Sequence, residues 1–478
     1  MASISSAGIG SGLDVETIVT QLMAVERQPL TQMKTQATKI DSKISAYGKL
    51  QSYTSALRDA ASNLTKAATW GSSTAASADS SVVSASGNTK ATAGSYSVSV
   101  QQLAASQSLA SSAFGSSAST LGSGTLTLEL GTWSADQSSF TAKSGATPVS
   151  VSVLATDTLA QVRDKINDAG GGVSASIVND ASGSRLVMHS SATGEENGFR
   201  VQVADDDGDS TDSAGLSALA YDPSASVSSM SRTQAAANAR ATVNGLTVTS
   251  ASNTLEEVVE GVTLKLGKVS ASPVEVTVSS NTESIKKSIT DFATAYNDLA
   301  KYLSTQTRYD SASKTAGSLQ GDASVNALRS ALRGVGTGSV SASATYQRLA
   351  DIGLDPQSDG TLKVDDSKLT EALGNLGEMK KLFANVDGVT SANEGFAVRL
   401  RKWGDAQLST SGSLTSRSNS LQRQKDANSD QQETFENRMT AVEKRMRAQY
   451  TALDTQMAKM NQLSSYVSQQ LSVLTYSS

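Results

Sequence analysis

The chain has 478 residues, with 40 Lys+Arg against 45 Asp+Glu, a net charge of −5 and no cysteine. That length exceeds what one hydrophobic core supports, so several domains are expected. The missing thiols exclude disulfide frameworks, thiolate metal sites and cysteine nucleophiles, and the charge balance offers no basic footprint for nucleic acid. Only 4% of residues are aromatic and 38% hydrophobic, which predicts thin cores and elongated modules. No stretch approaches the ~20 apolar residues of a membrane span, and the start shows no basic-then-apolar leader. Membrane insertion is not expected, and these signals alone point to the cytoplasm or to export without a cleaved signal.

Residues 8–14, GIGSGLD, resemble a glycine-rich phosphate loop, but Leu13 stands where a dinucleotide fingerprint needs its third glycine and no strand precedes it. The glycines read instead as a flexible lead-in to a helix capped by Asp14, with Glu16 complementing the dipole. This helix is expected to order only when docked on a partner. Apolar residues then recur at helical spacing through Ile18, Leu22 and Val25, and again through Met33, Ala37, Ile40, Ile44, Tyr47, Leu50, Tyr53, Leu57 and Leu64. Pro29 lacks an N–H and restricts Gln28, so two helices are predicted, the second starting at Pro29.

The middle of the chain is β-rich and punctuated by Gly and Ser. GTLTLEL (124–130), PVSVSVL (148–154), VSASIV (173–178), RLVMHS (185–190) and FRVQV (199–203) alternate at period two. Residues 157–168 are the exception, a short helix predicted to be capped by Asp157. A second β block covers 239–250, 261–266 and 273–280, and its Asn244-Gly245 pair predicts a type I′ hairpin turn. Helices resume at 283–307, 325–333 and 367–373.

The C-terminal stretch is the most regular. Phe435, Met439, Val442, Met446, Tyr450, Leu453, Met457, Met460, Leu463, Val467, Leu471 and Leu474 step by four and three, the seam of a coiled coil. A helix over 430–474 would be roughly 65 Å long, too long to bury in one small domain, so it must pack on another long helix. The N-terminal helices, of this chain or a neighbour, are the expected partner. The predicted fold class is α+β multidomain: a terminal α-helical coiled-coil stalk or leg carrying two inserted, mostly antiparallel β domains.

Candidate chemistry is sparse. His189 is the sole histidine, so multi-His zinc sites are excluded and a His-based triad has one possible base; its strand setting suggests a surface or partly buried imidazole. The acidic run at 205–212 fails the EF-hand frame, which would put Val203 and Ala214 where carboxylates are required, and reads as a solvated loop. Trp70, Trp133 and Trp403 read as structural anchors. Neither a cofactor nor a metal is expected, and no catalytic residue is assigned.

Several segments together resemble the flagellar filament cap family, also called flagellar hook-associated protein 2. They are GIGSGLDVETIVTQLMAVERQPL at the start, YSVSVQQLAASQSLAS (96–111), VNGLTVTSASNTLEEVVEGVTLKL (243–266), IGLDPQSDGTLKVDDSKLTEAL (352–373) and the stretch from Met439 to Leu471. Residues 157–199 are similar to a module shared with flagellin-like axial proteins. The resemblance implies a non-enzymatic, homo-oligomeric annulus at the filament tip, exported unfolded by the flagellar apparatus and extracellular, that retains flagellin and promotes its folding and insertion. It implies flagellin, other copies of the chain, hook-filament junction proteins and an export chaperone at the C-terminal helix as partners. Four parts follow: a terminal leg (1–42 with 430–478), a helical leg domain (43–71 with 281–429), an inner β domain (72–107 with 232–280) and an outer β domain (108–231). Leu13, Ile18, Leu22, Val25, Pro29, Met33, Ile40 and Ile44, with the C-terminal seam residues above, are the assembly candidates. A reading of another class is an adhesin whose outer β domain binds mucin or other glycans.

Overall fold

The computed structural model describes residues 14–312 and 314–475, with side chains described to residue 472. Asp14 caps the first helix, α1 (Val15–Glu26), accepting a 2.9 Å hydrogen bond from the Thr17 amide. Arg27 interrupts, and α2 (Gln28–Thr65) follows with Pro29 in its first turn, where a missing N–H costs nothing. The break is thus where the proline predicts it. A short α3 (Ala67–Trp70) ends this segment.

Residues 71–282 form one compact unit, and the residues up to Trp70 join those from Glu283 onward in a second. In the first unit, a five-stranded antiparallel sheet runs in the order Ser73–Ser77, Val274–Ser280, Gly94–Gln102, Ala239–Val243, Leu246–Ser250. Alternation along each strand sends Val98, Val100, Ala241 and Val276 into a core shared with a three-stranded sheet whose Val83 and Leu264 face them. Asn244 and Gly245 both have positive φ, +49° and +83°, as the predicted type I′ turn requires, and Val243 pairs with Leu246 across it.

A separate core of the same unit is built on the strand Gly124–Trp133, which pairs antiparallel with Gly198–Asp205 and Val149–Val153. Leu126, Leu128, Phe199 and Val201 fill it, together with Val162 and Ile166 of α4 (Leu159–Asp168) and Leu186 and Met188 of the strand Gly183–Ser190. The predicted cap is corrected here. Thr158, not Asp157, caps α4, in a reciprocal pairing with Gln161. Asp157 instead accepts from the Leu154 amide at 2.7 Å and pairs with Lys165, ties that hold its carboxyl below the usual range.

The second unit continues with α5 (Thr282–Thr307), α6 (Ala323–Thr337), α7 (Asp366–Ala372), α8 (Leu376–Ala384), α9 (Phe396–Leu408) and α10 (Ser413–Thr475). Its core gathers Tyr47, Leu50, Leu57 and Leu64 of α2, Ile289, Phe292 and Tyr296 of α5, Phe383 of α8, Phe396 and Leu400 of α9, and Leu414 and Leu421 of α10. Trp70 donates its indole N–H to the Leu64 carbonyl at 2.7 Å and stacks on Phe383. Gly404 of α9 has Arg58 side-chain atoms 2.8 Å from where a Cβ would lie, so the two helices meet closely only because that position is glycine. The structure shows the predicted class: helical segments from both parts of the chain, with two antiparallel β cores inserted between them.

Candidate assembly surface

The C-terminal helix starts at Ser413, well before the predicted start at 430, and runs 63 residues without a Gly or Pro. It therefore serves two settings. Leu414 and Leu421 belong to the helical core, while farther along Met439 joins Val15, Val19 and Met23 of α1 in a separate small cluster, flanked by Phe435, Val442, Met446 and Tyr450. The three α1 residues lie four apart and so share one stripe. A cavity of about 300 Å³ remains beside it, lined by Val19, Thr20, Met23, Ala24, Arg27 and Glu443.

Ion pairs line this antiparallel contact. Arg447 Nη2 meets Glu16 at 2.8 Å and Glu443 at 3.1 Å, Arg27 meets Glu443 at 3.1 Å, Lys34 meets Glu436 at 3.7 Å and Lys425 meets Asp41 at 2.8 Å. All are exposed, so their worth lies in selecting register more than in stability. Sliding α10 by one heptad toward its end would set Glu16 against Asp454 and leave Asp41 facing Gln432. The hydrogen bond from Arg447 holds the Glu16 carboxyl below the ordinary range, and Glu16, then Glu443, raise the Arg447 guanidinium in return.

The assembly candidates fall into three groups. Met439 (3% exposed) and Ile40 are buried, and Ile18, Met33, Ile44, Phe435, Val442, Met446 and Tyr450 are partly buried. Leu22 and Val25 (63%) face outward with Pro29, and so do Leu453, Met457, Met460 (66%), Leu463 (63%), Val467 and Leu471. Leu13 and the side chain of Leu474 lie outside the described residues, as do the glycines of the lead-in. Periodicity reasoning missed Val15, Val19 and Met23, although their four-residue spacing was present. It also missed α8 and α9. The expectation that the first helix orders only on a partner is corrected: α1 is formed and packed on its own chain's α10.

Elsewhere the chemistry is structural. His189 is exposed on its strand. In the acidic loop, Asp207, Asp209 and Asp212 each accept a backbone N–H two residues on, and Asp209 is held below its ordinary range by the Thr211 hydroxyl and amide. Among the described residues no group of three or more His, Cys, Asp or Glu could hold a metal ion. No described helix is long and apolar enough to cross a membrane.

Comparisons with known proteins place this arrangement. Residues 11–107 match the family model for the flagellar hook-associated protein 2 N-terminus, 236–462 the model for its C-terminus, and 139–192 the flagellin hook IN motif. The chain is 32% identical over 487 residues to "Flagellar hook-associated protein 2" of Escherichia coli O157:H7, covering 98% of each. It is 30% identical to the Salmonella typhimurium protein of that name over 100% of both. The crystal structure of the flagellar cap protein FliD D1-D2-D3 domains from Escherichia coli superposes with a TM-score of 0.62 at 29% identity, over 79% of this chain and 99% of that one. The chain belongs to the flagellar hook-associated protein 2 family, the flagellar filament cap proteins.

Proposed function

We propose that the protein acts, without catalysis, as a homo-oligomeric cap at the tip of the extracellular filament, retaining exported flagellin and promoting its folding and insertion. The observation that carries this reading is the run of uncovered apolar side chains on α10 from Leu453 to Leu471, in register with the covered seam before it. A contiguous exposed apolar stripe on a charged helix marks a surface that is occupied in an assembly, and a coiled-coil seam is completed by a second helix of like pattern. Flagellin and further copies of the chain are the partners this reading names, with hook-filament junction proteins as neighbours and an export chaperone covering the C-terminal helix before release. The division into 1–42 with 430–478, 43–71 with 281–429, 72–107 with 232–280 and 108–231 belongs to the same proposal, the first pair being the leg.

Deleting residues 452–478 removes the uncovered stripe and leaves the α1 contact intact. Introduced into a strain lacking its cap protein, this variant should fold, by circular dichroism of the purified chain, yet lose flagellin as monomer into the medium. Filaments of normal length under electron microscopy would refute the reading.

A further inference from the structure

Charge divides unevenly between the two units: residues 71–282 hold 10 Lys+Arg against 19 Asp+Glu, a net −9, while the rest holds 30 against 26, a net +4. Two features concentrate this difference. On α6, Arg329 and Arg333 stand four residues apart on a helix that carries no acid. Both border a cleft of about 210 Å³ whose apolar part is the buried Ala300 and Leu332. Arg329 Nη1 donates to the Thr307 hydroxyl at 3.2 Å and Arg333 Nη2 to the Ser358 carbonyl at 2.8 Å. Neutral oxygens thus orient both guanidinium groups, and neither has a carboxylate partner among the described residues. Asp359 also lines the cleft; its Oδ1 accepts from the amide and hydroxyl of Thr361, so it remains an anion there, one negative charge beside the two guanidinium groups. Like charges four apart on a helix repel, and a guanidinium fork matches a carboxylate.

The second feature is the strand Thr254–Val259, at the edge of its three-stranded sheet. Glu256, Glu257 and Glu260 are exposed beside Val258, and none has an ion-pair partner among the described residues. Pairing register breaks between Leu255 and Val259, where Glu257 has φ +58°. A bulged, charged edge resists pairing with another strand. What it offers a partner is its carboxylates.

We propose that the Arg329–Arg333 cleft is a carboxylate-binding surface that receives Glu256 and Glu257 of a second copy of this chain. The contact joins two different surfaces and is therefore head-to-tail, the kind that closes into a ring when its rotation permits. It rests on the proposed self-association and names the side chains that carry it.

The test is sedimentation velocity of the full-length chain across salt and protein concentration, with R329E/R333E, E256K/E257K and the combined fourfold variant. Each double reversal should weaken association at least tenfold, the fourfold variant should restore it, and wild-type association should fall as salt rises. Because the chain lacks cysteine, Glu257→Cys and Arg333→Cys chains can also be mixed with a flexible bismaleimide, since an arginine–glutamate contact leaves the Cα atoms too far apart for a direct disulfide. Cross-linked dimers should exceed those of either variant alone. Double reversals that associate like wild type, a fourfold variant that fails to recover, or no cross-linking above background would each overturn the contact while leaving self-association standing. A wild-type chain monomeric at every concentration would overturn both, and the strain complementation above would then show independently whether capping survives.

Discussion

The two halves of the seam on α10 carry the same four-and-three spacing and differ in what covers them. From Phe435 to Tyr450 the stripe lies under α1, and Met439 is almost fully buried; from Leu453 to Leu471 it lies open. The difference shows that a heptad pattern specifies that a face can be covered, not by what. The covered half takes a short helix of the same chain because Glu16 of α1 and Arg27 after it meet opposite charges there, and Lys34 and Asp41 of α2 continue the same antiparallel order along α10. No described segment of the chain is positioned to do the same for the open half.

The comparison can be broken most severely at Val19, which is fully buried. Val19→Asp would place an unpaired carboxylate in the seam at a cost of at least ~3 kcal/mol. This should release α1, seen as loss of hydrogen-exchange protection for residues 15–26 with the cooperative melt of the helical core unchanged. Met439→Ala, which leaves a cavity beside the one already present, should weaken the same contact by about 2–3 kcal/mol, measured as faster exchange in those amides. Leu463→Gln with Leu471→Gln should change the stability of the isolated chain by less than about 0.5 kcal/mol, because neither side chain is covered, yet cap poorly in cells. A large drop in melting temperature would show that the open half is covered within the chain after all.

Acid should have the smallest effect. The Glu16 carboxyl is lowered in the folded chain, so its contribution is complete above the ordinary glutamate pKa and is lost as pH falls through the lowered value. Protection of α1 should therefore decline modestly below about pH 4, and Arg447→Ala should shrink that step to the part owed to the Asp14 cap, whose carboxyl is also held low by Thr17.

Much of the fold was legible because it rests on local rules. Pro29 announces the helix break, Asn244-Gly245 the hairpin, and period-two alternation the strands at 124–133 and 198–205. What escaped was decided by tertiary context. Asp157 is as good a cap as Thr158 on paper; a neighbouring lysine and the Leu154 amide claim it instead. In α1 the sequence offers two overlapping stripes, Ile18, Leu22 and Val25 or Val15, Val19 and Met23, and only the geometry of α10 chooses between them. Likewise α9 carries Arg399, Arg401 and Lys402 among its apolar residues, so its buried face is visible only once α2 lies against it.

Mechanically, α10 is a beam clamped at one end. Leu414 and Leu421 are gripped in the helical core, α1 covers the seam as far as Tyr450, and the residues beyond rise for about 35 Å, at ~1.5 Å each, without a residue that would let the rod flex sharply. A sideways push on Met460 or Leu471 is thus not absorbed locally but arrives as torque first at the α1 contact and then at the core, where Tyr47 and the Asp322–Arg417 pair sit against the same helix. Stiffness of this kind would let whatever seats on the far end be felt by the packed body behind it.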